Sequence, residues 1–221
     1  MHRRAFLTSG LVIGGGLLAP TLTACTAGSD AAVTPSSAPS TEPGVSVPGS
    51  GRVLLAYFSR AGENYYNGGR IDLAVGNTQV VAELIAEASS VDVYRIEAAE
   101  PYSDDYNETV LRNVQEEIGN ARPAIANPLP DVAGYDTVLL GSPVWNVQTP
   151  MIMRTFVEGV DLSGKTIHPF VTYAVSGIGR VVGDYTRLCP RSTIAESLAV
   201  RGEEAAQSGP VVAAWLRRIG L

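Results

Sequence analysis

The strongest constraint on the fold is an apolar run that is followed by a polar loop and by the start of a helix. Residues 53–58 read Val-Leu-Leu-Ala-Tyr-Phe, which predicts a strand buried on both faces. The run ends at Ser-Arg-Ala-Gly in 59–62, and Gly-Asn-Thr in 76–78 precedes a helical pattern. The first N–H groups of a helix lack partners and its dipole is positive at that end. The sequence therefore predicts an anion site, suited to a phosphate, between this strand and this helix.

Apolar strand patterns then alternate with helical patterns to the end of the chain. Beyond the first helix, strands are predicted at residues 91–97, 137–143, 166–173 and 192–200. Helices are predicted at residues 106–118, 149–157 and 203–219, with weaker helical character at 177–188. Such alternation indicates an α/β fold in which helices cover both faces of a parallel sheet. In folds of this class, ligands bind beyond the carboxyl ends of the strands.

Aromatic side chains follow two of those strand ends. Trp145 lies in the loop 142–148 after the third strand, and Tyr173 opens the loop 173–179 after the fourth. A tryptophan in a ligand loop can stack on a flat ring, and the small residues of 173–179 allow the backbone to approach a ring edge closely. Together with the anion site, these two loops predict binding of a mononucleotide that has a large planar ring.

The N-terminus has the features of an export signal. Arg3 and Arg4 precede a glycine-rich apolar run, which is too short for a transmembrane helix. The arginine pair predicts a twin-arginine signal, with a general-secretion signal as the alternative. Leu-Thr-Ala-Cys at 22–25 resembles a bacterial lipobox, which predicts that residues 1–25 are the signal and that Cys25 is lipidated. A plain signal-peptidase site is the alternative to lipidation.

Composition separates a tether from a domain. Residues 26–51 consist almost entirely of Thr, Ser, Ala, Pro and Gly, which predicts a disordered tether. Residues 52–221 are expected to form one domain. The net charge of −6 argues against nucleic acid as a partner, because binding a phosphate backbone needs a basic face. Two distant Cys residues do not indicate a disulfide framework, so Cys189 is expected to be a packing residue.

Six short segments spread along residues 52–221 together resemble the flavodoxin family. They are 57–62 (Tyr-Phe-Ser-Arg-Ala-Gly), 76–78 (Gly-Asn-Thr), 100–102 (Glu-Pro-Tyr), 141–145 (Gly-Ser-Pro-Val-Trp), 163–167 (Ser-Gly-Lys-Thr-Ile) and 176–179 (Ser-Gly-Ile-Gly). The resemblance covers the whole predicted domain. It implies a flavodoxin-like fold, which is a doubly wound, five-stranded parallel sheet with the strand order 2-1-3-4-5.

The resemblance also implies FMN as the cofactor and assigns the residues of its site. The phosphate would be held by Ser59, Arg60, Asn77 and Thr78. One side of the isoalloxazine ring would be lined by Pro143, Val144, Trp145 and Asn146. The opposite rim would be formed by Tyr173, Ser176, Gly177 and Gly179. Neither a catalytic residue nor a metal ligand is implied.

The chain departs from the family pattern at two places. Residues 63–75 are inserted within the phosphate loop, where they could form a lid or docking surface over the flavin, or a solvent loop. Asn146 and Val147 stand where related sequences often have a second tryptophan and a glycine. The first departure leaves the phosphate contacts open, and the second leaves the packing of the ring open.

These inferences predict an FMN-binding electron carrier at the cell envelope, lipid-anchored on the outer face of the cytoplasmic membrane. Its partner would be a redox protein or a small quinone. Two alternatives remain open: an FMN-dependent NAD(P)H or quinone reductase, and a lipoprotein that keeps the fold without flavin. A dinucleotide-binding domain is excluded because no Gly-x-Gly-x-x-Gly follows the first strand. A serine hydrolase is excluded because the Gly-x-Ser-x-Gly motif is missing, and His168 is expected to be structural.

Overall fold

The structure, a computed structural model, describes residues 51–221. The predicted export signal, Cys25 and nearly all of the tether lie outside the described residues. The strands are β1 Val53–Phe58, β2 Gly62–Tyr66, β3 Gly69–Leu73, β4 Asp92–Ile96, β5 Thr137–Pro143, β6 Thr166–Tyr173, β7 Thr193–Ile194 and β8 Leu198–Arg201. The helices are α1 Asn77–Ala88, α2 Tyr106–Ile118, α3 Met151–Gly159, α4 Val181–Leu188 and α5 Gly209–Ile219, with a 3₁₀ helix at Gly202–Gln207. Within 51–221, no helix has both the length and the apolar character needed to cross a membrane.

A parallel sheet forms the centre of the molecule and confirms the predicted fold. The order is β4-β1-β5-β6, with β7 and β8 both paired to β6 at the outer edge. Counted along the chain without the β2–β3 hairpin, this is the expected order 2-1-3-4-5. The predicted last strand, 192–200, is divided in two, so the sheet has six strands. β7 pairs with the first residues of β6, and β8 pairs with its last residues.

The break in the last strand lies at Glu196, whose backbone contacts side chains of two other elements. Its backbone oxygen accepts a hydrogen bond from Trp215 Nε1 at 3.4 Å and lies 2.9 Å from His168 Nδ1. A carbonyl turned towards these two side chains is lost from the pairing of the sheet. His168 is buried at this contact, and the structure therefore gives it the structural position that was predicted.

Helices on both faces of the sheet explain why β1 is apolar without interruption. Leu54 and Phe58 pack in the layer that contains α3 and α4, whereas Leu55 and Tyr57 pack in the layer that contains α1 and α5. Every residue of β1 is buried. Complete burial of one aliphatic side chain contributes about 1.5–3 kcal/mol, so this strand is a main source of the stability of the sheet.

Helix α2 packs with a different face from the one that its apolar pattern predicts. Val110, Leu111, Val114 and Ile118 share the expected apolar spacing, but they are 41%, 63%, 39% and 83% exposed. The buried side chains of this helix are Thr109, Asn113 and Glu116. The hydroxyl of Thr109 donates to Ser103 O at 2.8 Å, and Glu116 accepts from Tyr102 at 2.9 Å. Polar contacts, and not the apolar pattern, therefore set the rotation of α2.

Cys189 is a buried thiol at the end of α4, and we expect it to be unreactive in the folded protein. It is 6% exposed, and burial raises the pKa of the thiol to about 11. At about pH 8 almost none of it is then present as the reactive thiolate. Iodoacetamide labelling, followed at the Cys189 peptide by mass spectrometry, should be at least about tenfold slower in the native protein than in guanidinium. Equal rates in the two states would contradict this prediction.

Candidate functional site

A cleft opens at the carboxyl ends of β1, β5 and β6, where this class of fold places its ligands. Eight of the residues predicted for the site line it: Ser59, Arg60, Asn77, Thr78, Pro143, Val144, Trp145 and Tyr173. Among the described residues, those that line the cleft include no Asp or Glu, although the net charge of the whole chain is −6. An anion in the cleft therefore meets no carboxylate on its walls.

The anion end of the cleft is built where the loop after β1 packs against the start of α1. Gly76, directly before α1, is buried, and a Cβ atom there would collide with the carbonyl oxygen of Arg60 and with Ser59 Oγ. Ser59 Oγ accepts a hydrogen bond from the N–H of Gln79 at 3.1 Å. Because its oxygen is the acceptor, the hydroxyl proton of Ser59 is left to donate elsewhere.

The first two N–H groups of α1 are available to a ligand. In the described part of the chain, the N–H groups of Asn77 and Thr78 donate to no side chain and to no loop carbonyl. The Thr78 hydroxyl is 2.7 Å from the Thr172 hydroxyl, a buried contact that joins the start of α1 to the end of β6. Two free N–H groups at the positive end of a helix, with a serine hydroxyl beside them, suit a phosphate.

Arg60 lies on the wall of the cleft, but its guanidinium is used within the protein. Nε, Nη1 and Nη2 donate to the carbonyl oxygens of Ser103, Glu63 and Asp104 at 2.9, 2.7 and 2.9 Å. Burial lowers the pKa of Arg60, whereas Asp104 and other nearby acidic residues raise it. An arginine remains charged under such conditions. These bonds use three of the five guanidinium N–H groups and hold the neighbouring loops in place, and the phosphate contact of Arg60 stays a prediction.

The inserted residues form a hairpin that makes one wall of the cleft. β2 and β3 pair antiparallel, and the turn at Asn67 and Gly68 has φ angles of 46° and 85°. Arg70 stacks over the Tyr106 ring at 4.5 Å, which attaches the hairpin to α2. Asn64 and Tyr65 from the hairpin line the cleft. The insert is thus a wall of the site and not a free solvent loop.

Trp145 is held in place by an aromatic cluster behind it. Its ring lies edge-to-face with Phe58 at 5.6 Å and with Tyr102 at 5.0 Å. Tyr102 is in turn covered by the Arg112 guanidinium at 3.9 Å, and its hydroxyl donates to Glu116. Burial, followed by the charge of Glu116, raises the pKa of Tyr102 well above its usual range, so the hydroxyl stays protonated. Each such ring contact contributes about 0.5–1.5 kcal/mol to stability beyond the burial of the rings. The indole of Trp145 is therefore held in one position as a wall of the cleft.

The turn after Trp145 explains where the predicted rim residues lie. Asn146 and Val147 have φ angles of 45° and 60° and form a two-residue turn, closed by mutual hydrogen bonds between Trp145 and Gln148 at 3.1 and 3.0 Å. A Cβ atom on Gly179 would collide with the carbonyl oxygen of Val147. Gly179 therefore allows the loop after β6 to pack against this turn, and this contact does not form a rim of the cleft.

Four predicted site residues are accordingly not on the cleft wall. They are Asn146, Ser176, Gly177 and Gly179. Six residues that the sequence did not single out for the site do line it: Asn64, Tyr65, Tyr106, Thr172, Ala174 and Gly202. The hairpin and α2 supply three of these six. The insert was visible in the sequence, but its contact with the cleft depends on how it packs against α2, which no local sequence signal gives.

We expect Val147→Gly to raise the free energy of unfolding by about 0.5–1 kcal/mol. A β-branched residue in the left-handed region costs about 1–2 kcal/mol, and the larger loss of backbone entropy for glycine cancels part of the gain. Denaturation by urea would measure the change. Val175→Gly is the control, because Val175 is 75% exposed and has no positive φ, and it should lower stability. A loss of stability in Val147→Gly would contradict the prediction.

A second cavity, of about 300 Å³, adjoins the cleft. It lies between the hairpin, α2 and the Trp145 turn. Five residues line both the cavity and the cleft: Arg60, Asn64, Tyr106, Val144 and Trp145. Asn146, which does not line the cleft, lines this cavity. The molecule therefore offers an aromatic-walled cleft, with one end suited to an anion, and a second compartment beside it.

Comparison with known proteins adds a family and a set of similar structures. The Flavodoxin family model matches residues 71–219. A candidate flavoprotein from Bacteroides uniformis ATCC 8492 is 30% identical with a TM-score of 0.62, over 76% of this chain and 98% of that chain. One from Bacteroides eggerthii DSM 20697 is also 30% identical with a TM-score of 0.62, over 77% and 98%. A flavoprotein from Lactobacillus acidophilus NCFM, solved in complex with FMN, is 18% identical and shares the fold, with a TM-score of 0.51 over 73% and 99%. No curated protein sequence matches the chain.

Proposed function

This chain belongs to the flavodoxin family, and from that premise we propose that it binds FMN in the cleft and carries electrons at the cell envelope. The observation that carries the proposal is the start of α1. Among residues 51–221, the N–H groups of Asn77 and Thr78 have no partner, and the cleft that these residues line has aromatic walls and no carboxylate. A phosphate and a flat ring can be accommodated together there.

Each end of the cleft has residues suited to one part of FMN. At the phosphate end, the N–H groups of Asn77 and Thr78 and the hydroxyl of Ser59 are the donors. At the ring end, Trp145 and Tyr173 supply aromatic surface. FMN supplies the one- and two-electron chemistry, and the protein binds it, orients it and limits its contact with water. The indole of Trp145 needs little reorganisation for this purpose, because Phe58 and Tyr102 already hold it.

The flavin spectrum of the purified protein is the first test. The full-length protein should show the absorption bands of bound flavin, or should acquire them after reconstitution with FMN. FMN fluorescence should be quenched on binding, because an aromatic ring stacked on the flavin quenches it. A colourless protein that cannot be reconstituted would overturn the FMN proposal. That result would leave the alternative of a lipoprotein that keeps the fold without flavin.

The location at the envelope is proposed from the N-terminal sequence. Cys25 in Leu-Thr-Ala-Cys would carry the lipid, and residues 26–51 would hold the domain away from the membrane. The Arg3-Arg4 pair would direct export of the folded domain, so that FMN could be loaded before export. In a bacterial host, Cys25→Ser should release the protein from the membrane fraction. Replacement of both arginines by lysine should stop export. Unchanged membrane attachment of the Cys25→Ser variant would contradict the anchor.

A reductase of small quinones is the second candidate, and the cavity beside the cleft favours it. An electron carrier needs only an exposed flavin edge, whereas a reductase needs space for its substrate. The cavity of about 300 Å³ is at the lower limit of the size range of small-molecule pockets. Steady-state turnover of a quinone with NAD(P)H would distinguish the two candidates. Turnover favours the reductase, and its absence in an FMN-loaded protein favours the carrier.

A further inference from the structure

The tip of the β2–β3 hairpin is joined to another wall of the cleft by a hydrogen bond. The N–H of Asn67 donates to Glu203 Oε1 at 2.9 Å. Tyr65 of the hairpin and Gly202 of the 3₁₀ helix both line the cleft, and they are close in sequence to the two bonded residues. The bond therefore connects two segments of the cleft wall that are far apart in the chain.

The tip of the hairpin has little else to hold it. Among the residues that the structure describes, the Asn67 bond is the one hydrogen bond from residues 64–69 to a segment outside the hairpin. Residues 66–72 are all exposed. A two-stranded hairpin on its own is marginally stable in water, and segments with few buried contacts open most readily in a native protein. The bond to Glu203 is therefore the contact that an outward movement of the tip must break.

The hairpin has two further attachments, and both are on the side of α2. At its base, the N–H of Glu63 donates to Asp104 O at 2.8 Å. Further along, the Arg70 side chain stacks over the Tyr106 ring and donates to Asn107 Oδ1 at 2.8 Å. This second contact is exposed and is made by a long side chain, and such contacts are individually weak. The base is thus fixed by the backbone, whereas the tip depends on Glu203.

Glu203 has the surroundings of a fixed partner. Its side chain is 7% exposed, and Arg201 Nε lies 3.5 Å from Oε2. A nearly buried carboxylate needs such partners, and an ionised acceptor makes a stronger hydrogen bond than a neutral one. The preceding Gly202 packs on the start of α1, because a Cβ atom on it would lie 2.6 Å from Asn77 Nδ2. Glu203 is thereby attached to the anion end of the cleft, and the hairpin is the movable partner.

We propose that Glu203 is a positioning residue that holds the hairpin closed, and that FMN enters and leaves the cleft when the Asn67–Glu203 bond opens. The identity of the ligand rests on the proposed function, whereas the bond involves only residues of this chain. A gate of this kind has a kinetic signature. Its bond forms with and without FMN, so loss of the bond raises the open population in both states. The association and dissociation rate constants then rise together, and the dissociation constant changes little.

Stopped-flow fluorescence of FMN binding to full-length Glu203→Ala and Glu203→Gln tests the gate. Both variants lack the carboxylate, so its repulsion of a bound phosphate is removed equally, but only glutamine keeps an oxygen that accepts from Asn67. Both rate constants should be about fivefold to tenfold higher in Glu203→Ala than in Glu203→Gln, with dissociation constants within about twofold of each other. Glu204→Ala, at an exposed position of the same 3₁₀ helix, should leave both rate constants unchanged.

Two results of this experiment would overturn the gate. One is equal rate constants in the alanine and glutamine variants. The other is a rise in the dissociation rate constant alone, because Glu203 would then contribute to affinity without controlling entry.

Hydrogen exchange of the Asn67 amide, followed by NMR without FMN, tests the bond apart from the flavin. Exchange should be at least about fivefold faster in Glu203→Ala than in Glu203→Gln. Equal exchange would overturn the inference even in a protein that binds FMN. Faster exchange in a protein that binds no FMN would refute FMN as the ligand, while it confirms Glu203 as the residue that closes the hairpin.

Discussion

Replacement of Asn77 by aspartate is expected to weaken FMN binding about a hundredfold. Asn77 is the first residue of α1 and lines the anion end of the cleft. Two unit charges about 4 Å apart repel each other by about 1 kcal/mol in water and by about 4 kcal/mol at an effective dielectric constant of 20. A loss of about 2.7 kcal/mol lies between these limits and corresponds to a hundredfold change in the dissociation constant. Titration of the protein into FMN, followed by flavin fluorescence, measures it.

The same substitution should not destabilise the protein without FMN. A carboxylate in the first turn of a helix is stabilising by about 0.3–1 kcal/mol, and the first turn of α1 has no acidic residue. Asn77→Asp should therefore raise the midpoint of thermal unfolding slightly while it lowers the FMN affinity. Asn120→Asp is the matched control, since Asn120 lies outside the cleft lining. An Asn77→Asp variant that binds FMN as tightly as the unchanged protein would place the phosphate elsewhere.

Gly141→Ala is expected to lower the free energy of unfolding by about 2–3 kcal/mol. Gly141 lies within β5, and a Cβ atom there would fall 2.5 and 2.6 Å from Cε1 and Cε2 of Phe170. Phe170 is fully buried on the neighbouring strand and packs beside Trp215, so it has no free space to move into. Insertion of a methyl group into a filled core costs about 1–3 kcal/mol. Denaturation by guanidinium gives the change directly.

Gly183→Ala is the control for a glycine without such a contact. Gly183 lies inside α4, and the nearest atom to an added Cβ is the Arg187 guanidinium at 3.5 Å, which is an ordinary contact. Alanine is favoured over glycine in a helix by about 0.8–1 kcal/mol, so this variant should be more stable. If both variants changed stability in the same direction, the contact with Phe170 would not be the cause of the loss in Gly141→Ala.

The main elements of the fold could be predicted because their signals are local. The bounds predicted for β1, α2 and β6 are those found in the structure. A short continuous apolar run that is bounded by turn residues and rich in β-branched or aromatic side chains indicates a strand that is covered on both faces. The anion end of the cleft was predictable for the same reason, because Gly76 and the start of α1 are adjacent in the chain. Residues 192–200 were predicted as one strand, but the structure divides them into β7 and β8. The division lies at Glu196, which contacts Trp215 and His168, and these side chains are distant in sequence.

The composition of the site depended on contacts that no local pattern contains. Arg60 was predicted to contact the phosphate, but the inserted hairpin and the loop before α2 bring three carbonyl groups to its guanidinium. Gly179 was predicted as a rim residue, but it packs on the Val147 carbonyl. In both cases the structure shows contacts within the protein that no local pattern contains.

By itself the sequence determined the α/β class, the order of strands and helices and the position of the cleft, because apolar periodicity and helix starts are properties of neighbouring residues. Only the tertiary structure decided the rotation of α2, the use of the hairpin as a wall and the cavity beside the cleft. Those features arise from contacts between elements that are separate in the chain, such as the hydrogen bond of Tyr102 with Glu116 and the stacking of Arg70 on Tyr106.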